Sequence, residues 1–250
     1  MRFNHSVVLL FAALLMPWFT HAQVAFGVRG GAAWSNMVFP DVDDDGIGDI
    51  NWETKSSVTP QVALFADVPF SQRFSLVPEV GFQQRGYFYD KSDFPGSIFV
   101  EQRLMLDYFE FNALGKFHLG REPARLHLLL GPGIGRMVGA RNIIENYDPW
   151  IIGSNGSVLA PDDLKMPRLN VGIIGGVGAT FSVRSSWIGI EARYQYGLTN
   201  IWNGIVLTDF NGATIGELNS FDRSASIHAT WMFPLGEAEA VSGSGSDPTP

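Results

Sequence analysis

The chain contains no cysteine among its 250 residues. That removes a disulfide framework and any thiolate metal site. Charge is also sparse, at 17% of residues, where a soluble domain usually carries about a quarter. The net charge of −8 excludes a general electrostatic attraction for nucleic acid. Beyond residue 22 no continuous apolar run approaches the ~20 residues that a membrane-crossing helix needs. What is abundant is apolar material, 46% of the chain, together with 28 glycines. Apolar residues that never gather into a spanning helix point to strands, where they occupy alternate positions.

The first residues predict export. Arg2 supplies a positive start, Val7 to Phe19 is a short apolar run, and Thr20-His21-Ala22 ends on a small residue before Gln23. The run is too short to span a hydrocarbon core as a helix, so residues 1–22 are read as a signal peptide and fold reasoning begins at Gln23. Residues 236–250 (GEAEAVSGSGSDPTP) turn acidic, then Gly/Ser-rich, then Pro-rich, which predicts a flexible tail. The domain proper is residues 23–235.

Within it, side chains alternate with the period of two that marks a strand. Ile188, Ile190, Ala192, Tyr194, Tyr196 and Leu198 share one face, while Gly189, Glu191, Arg193, Gln195, Gly197 and Thr199 share the other. Ala225, Ile227, Ala229, Trp231 and Phe233 alternate with Ser224, Ser226, His228, Thr230 and Met232. Weaker alternation runs through the segments beginning at Val24, Phe74, Phe109, Leu126 and Leu169. In Val58 to Val68, neighbouring Leu64 and Phe65 dispute the faces. About eight strands result.

The predicted connections alternate long and short. Short ones fall at 69–73, 120–124 and 184–186; long ones at about 35–57, 91–99, 141–166 and 203–222. Large apolar side chains occupy one face, and glycines and charges the other. That polarity suits a barrel with lipid outside and a narrow lumen filled by its own side chains. The expectation is therefore an all-β, eight-stranded antiparallel up-and-down transmembrane β-barrel in the outer membrane of a Gram-negative bacterium, both termini periplasmic.

Several segments, in order along the chain, carry a resemblance. They are Phe26-Gly27-Val28-Arg29-Gly30-Gly31, Leu76 to Gly86 (LVPEVGFQQRG), Leu106 to Ala113 (LDYFEFNA) leading to Lys116, Leu130-Gly131-Pro132-Gly133, and Arg193 to Ile201 (RYQYGLTNI). The chain resembles the PorT-like outer-membrane β-barrel proteins of the Bacteroidetes. The resemblance implies an eight-stranded outer-membrane barrel, in most members without a known activity, and its named member is similar to a component of type IX protein secretion. The family usually has proline where this chain has Asn112.

Three groups of residues could carry chemistry. Asp41, Asp43, Asp45 and Asp49, with Gly46 at the sixth position, follow the spacing of a calcium loop in the first long connection, but Trp52 stands at the twelfth position and Glu53 comes one place late. A solvated acidic turn is the competing reading. Arg29, Glu79, Arg85, Glu110, Lys116, Glu191 and Arg193 fall on the inward face and are expected to pair, because an unpaired buried charge is costly. His228 shares that face with Ser226, an inventory too thin for a hydrolase. His118 and His127 flank a short turn.

The expectation for function is a structural or binding barrel. It has no general porin activity, no enzymatic activity and no cofactor beyond the calcium considered above. Its partners are outer-membrane lipid and proteins of the cell envelope, and it is a monomer. The alternatives are an accessory part of a type IX-like secretion or envelope assembly and an outer-leaflet lipid-modifying enzyme, the latter disfavoured.

Overall fold

The structure, a computed structural model, describes residues 24–38, 54–90, 100–120, 124–146, 154–159, 167–201, 206–208, 214–217 and 220–235. The strands are β1 (Ala25–Val38), β2 (Thr54–Pro69), β3 (Phe74–Asp90), β4 (Val100–Leu119), β5 (Ala124–Asn146), β6 (Ser154–Leu159), β7 (Leu169–Val183), β8 (Ser186–Asn200), β9 (Val206–Thr208), β10 (Thr214–Glu217) and β11 (Phe221–Pro234). Eight of them close a ring in the order β4-β3-β2-β1-β11-β8-β7-β5, with β5 returning to β4. Every pairing is antiparallel. No sheet edge is left within the ring, as a hydrocarbon environment demands.

The stagger of the ring follows from its register. From Gly27 the pairing passes through Phe65, Glu79, Asn112, Gly133, Gly172 and Gly197. Gly197 lies against Asp222, which pairs with Met37. One circuit thus climbs from 27 to 37, ten residues along β1. With eight strands, that stagger sets a tilt of about 40° and a lumen only wide enough for side chains.

The outer wall is apolar. Residues such as Val62, Leu64, Leu130, Val177 and Ile190 are exposed along the middle of the strands. Two aromatic rings bound this band. At the short-turn end stand Phe26, Phe74, Phe117, Phe181, Trp231 and Phe233, with the Trp231 and Phe233 rings 4.8 Å apart. Eight residues above three of them, Phe26, Phe74 and Phe117, stand Trp34, Phe82 and Phe109. Eight residues at this tilt rise about 20 Å between ring positions, close to the ~25 Å apolar band of an outer-membrane barrel.

Short turns at 70–73 and 184–185 sit at the end where Ala25 pairs with Pro234; β4 and β5 are joined at the same end. The long connections lie at the opposite end. Three of them differ from the sequence reading, and in the first, 35–57, β1 runs on to Val38 and β2 already starts at Thr54. Residues 141–166 were expected as a loop, yet β5 continues to Asn146 and pairs with β6 from Ala140↔Leu159 to Glu145↔Ser154. Within 203–222, β9 and β10 form their own hairpin and β11 starts at Phe221. In both places backbone amides are satisfied by pairing rather than by water. Among the described residues no helix is long and apolar enough to cross a membrane. The predicted signal peptide, the 236–250 tail and the aspartates 41, 43, 45 and 49 lie outside the described residues.

Candidate functional site

Alternation delivers one side chain in two to the lumen, so the interior composition is written into the inward register. All seven charged residues expected there are buried: Arg29, Glu79, Arg85, Glu110, Lys116, Glu191 and Arg193. Two buried carboxylates join them, Asp67 and Asp222.

Arg193 on β8 donates to both oxygens of Glu79 on β3, at 2.8 Å each. These strands stand opposite one another in the ring. Arg193 also donates to Glu191 through Nε at 3.0 Å and through a terminal nitrogen at 2.6 Å. Arg29 on β1 approaches the same Glu79 at 3.0 Å, and His127 on β5 approaches Glu191 at 3.1 Å. Asn112, where the PorT-like pattern has proline, points its amide at Glu79 from 3.5 Å. A proline there would leave Glu79 without this donor.

A second cluster is built around Arg85, which pairs with Glu110 of β4 and Asp222 of β11. Its guanidinium lies 5.0 Å from the ring centre of Tyr108. A third pair, Lys116 with Asp67 at 2.8 Å, lies nearer the short-turn end. Every cation of the set therefore has a carboxylate, the arrangement a low-dielectric interior requires.

Apolar layers pack at both sides of this polar middle. Toward the long-connection end Met37, Tyr87, Leu104, Leu106, Tyr108, Met137, Ala140 and Ile201 form one buried cluster. Toward the short-turn end Phe65, Val77, Leu114, Leu129, Ile174 and Met232 belong to another. Small residues create the room: a Cβ on Gly27 would stand 2.5 Å from the Phe65 ring. The lumen is thus a packed core, with ion pairs at its centre.

Ser226 and His228, set two apart on β11, do meet: His228 Nε2 lies 2.7 Å from Ser226 Oγ. His228 is 1% exposed and contributes nothing to the cavity described next.

At the short-turn mouth the barrel opens into a cavity of about 850 Å³. Its lining includes Arg73 of the β2–β3 turn, Ser75, Lys116, His118, Arg125 and Trp187. His118 Nε2 hydrogen-bonds with Ser75 Oγ at 2.8 Å, and its ring centre lies 6.3 Å from that of His127. The sequence reading had left His118 and His127 as turn neighbours. Their inward alternation with Leu119 and Leu126 was the signal that places them at the mouth. Among the described residues no group of three or more His, Asp or Glu is placed to hold a metal ion.

No functionally curated protein matches the chain in sequence. Among solved structures it is similar to Ail, the attachment invasion locus protein of Yersinia pestis, at 15% identity over 84% of this chain and 99% of that one, with a TM-score of 0.38. It is also similar to Neisserial surface protein A, at 12% identity over 84% and 99%, TM-score 0.40. For OprG of Pseudomonas aeruginosa the values are 10%, 86% and 98%, with a TM-score of 0.47. The model of the outer membrane protein beta-barrel domain matches residues 19–203, a span that takes in seven of the eight barrel strands. The chain belongs to the outer membrane protein beta-barrel domain family.

Proposed function

We propose that this outer-membrane barrel is a non-conducting scaffold that works by binding, with the long-connection end outside the cell and both termini in the periplasm. The observation that carries this reading is the filled lumen: Arg193 and Glu79 tie opposite walls together between two apolar layers. Such a core leaves a porin-like path no continuous water column. The ends are oriented by the usual asymmetry of these barrels, short turns inside and long connections outside. That asymmetry makes the long connections the surface offered to partners. The cell-envelope proteins that the PorT-like resemblance suggests are the partners this reading favours.

We read the protein as a binding protein and not as an enzyme. Support comes from the two Ser–His pairs among the described residues: Ser226–His228 is sealed in the packed interior, and in Ser75–His118, at the mouth, the far ring nitrogen of His118 has no hydrogen-bond partner to orient it as a base. Planar-bilayer recording tests the scaffold reading directly. The intact barrel should add no stepwise conductance, and reproducible open steps from the purified protein would refute it. Protease accessibility of intact cells tests the orientation. Cleavage should fall within 147–166 or 202–219 while the short turns stay protected; the reverse pattern would invert the assignment.

A further inference from the structure

The apolar outer wall is not even. Along the row at the short-turn aromatic ring, Phe233 pairs with Phe26 and Phe26 with Ala66. Strand β3 follows with Pro78, which pairs with Ala113 of β4. Two large rings thus give way to short side chains. One row higher the wall is bulky again, with Val28, Leu64, Val80 and Phe111 each paired to the next. The drop in size leaves a recess of about 460 Å³. Half-buried Ala66 and Pro78 form its floor, Phe26 and Phe233 one side, Phe111 the other, and Leu64 its upper rim. The floor also interrupts the sheet. Proline has no N–H to donate, and the β2–β3 ladder skips from Phe65↔Glu79 to Val68↔Leu76. The Glu79 carboxylate is turned to the lumen, where Arg193 holds it, so no polar side chain faces the recess.

A recess in a wall that meets hydrocarbon has to be filled, because its lining otherwise forfeits dispersion contacts outright. Its shape limits the occupant. The ring is closed at β1, β2 and β3, so no further strand can pair there. One turn of α-helix, ~10–12 Å across and ~5.4 Å high, takes up about 500 Å³; a helix can lie over the recess but cannot enter it. A polar ligand would find nothing to bond and would lose its water. A single hydrocarbon chain fits both the bore and the chemistry. The recess also begins at the level of the aromatic ring, where headgroups give way to chains. We propose that it is a binding site for one acyl chain of a phospholipid in the leaflet at the short-turn end. Phe26, Phe111 and Phe233 grip the sides of the chain, and Ala66 and Pro78 let it lie against the strand backbones. The site rests on the membrane setting of the barrel and not on its orientation, and it is separate from the long-connection surface.

The test is native mass spectrometry of the full chain, released from detergent micelles supplemented with dioleoyl-phosphatidylethanolamine or with oleic acid. One phospholipid should stay bound at collision energies that strip the remaining lipid. Ala66→Phe sets a ring on the floor of the recess and should weaken that retained lipid at least about tenfold, the change produced by losing the burial of about two methylene groups. Ala66→Leu fills the recess in part and should give an intermediate loss. Val177→Phe, on the opposite wall, should leave retention unchanged. Gel mobility before and after boiling confirms that each variant is folded. Three results would overturn the proposal. One is the absence of a retained phospholipid, or its equal retention in the wild type and both folded Ala66 variants. The second is retention of oleic acid in preference to the phospholipid. The third is a dimer in place of the lipid adduct, abolished by Ala66→Phe, which would give the recess to a second copy of the chain.

Discussion

Arg193 and Glu79 face each other across the full width of the barrel, two hydrogen bonds of 2.8 Å joining β8 to β3. Glu79 also receives Arg29 at 3.0 Å, so a single carboxylate answers two guanidinium groups in a buried setting.

Removing that carboxylate should therefore be severe. Glu79→Ala takes from Arg29 its carboxylate and leaves Arg193 only Glu191, and breaking a buried pair costs about 3–5 kcal/mol. The gel mobility that distinguishes folded from boiled barrel, followed through a urea series in lipid vesicles, should show the midpoint falling sharply. Glu79→Gln keeps an acceptor and should lose less. Equal midpoints for the wild type and the alanine variant would show that the tie contributes nothing.

Neighbouring glycines on β1 should respond in opposite ways. A side chain on Gly31 would collide with the Ile227 carbonyl oxygen and come within 2.5 Å of His228 Nδ1, whereas one on Gly30 meets nothing within 4 Å. Gly31→Ala should destabilise by about 1–3 kcal/mol through overpacking. Gly30→Ala should be neutral or stabilise by up to about 1 kcal/mol, as alanine restricts the unfolded chain. The same urea series reads both.

The outer wall predicts a depth-dependent penalty. Leu130 is 65% exposed on the apolar band, so Leu130→Arg should cost about 2–4 kcal/mol in a bilayer, the charge of a midplane lipid-facing site. In a detergent micelle, where water reaches the wall, the penalty should shrink. A bilayer penalty no larger than the micelle penalty would mean that Leu130 does not face lipid.

The two residues that dispute the face of β2 can be separated in the same way. Phe65 is 7% exposed and Leu64 is 59% exposed. Phe65→Ala should cost about 3–5 kcal/mol as a core truncation, and Leu64→Ala distinctly less.

That pair also shows where sequence legibility stopped. Strong alternation in β8 and β11 identifies strands and faces without any structure, because bulky groups meet lipid and small or charged groups meet the lumen. In β2 the rule fails locally: a large ring points inward, and it does so because Gly27 on the neighbouring strand leaves the space. No single-strand pattern contains that information. Asp222 escaped for another reason. It sits at a register irregularity between Phe221 and Arg223, where alternation is interrupted, and the sequence reading left it at the end of a connection. Asp67 was hidden by the disputed faces of its own strand. The seven other lumen charges stood on alternations that the sequence shows, strong in β8 and weaker in β1, β3 and β4, yet which of them pair is set by the stagger of the closed ring, a property of all eight strands together. The hairpins formed by β6, β9 and β10 lack any strong alternation, so only pairing reveals them.

The seam between β1 and β11 has a consequence for how the molecule can come into being. The first strand to leave the ribosome finds one of its two partners only in the last. Until β11 is delivered the sheet has two raw edges, and β8, which carries Arg193, has no bridge back to β1. Closure is therefore the last event of assembly: seven strands can pair in succession, but the cylinder shuts only when β11 bridges β8 and β1.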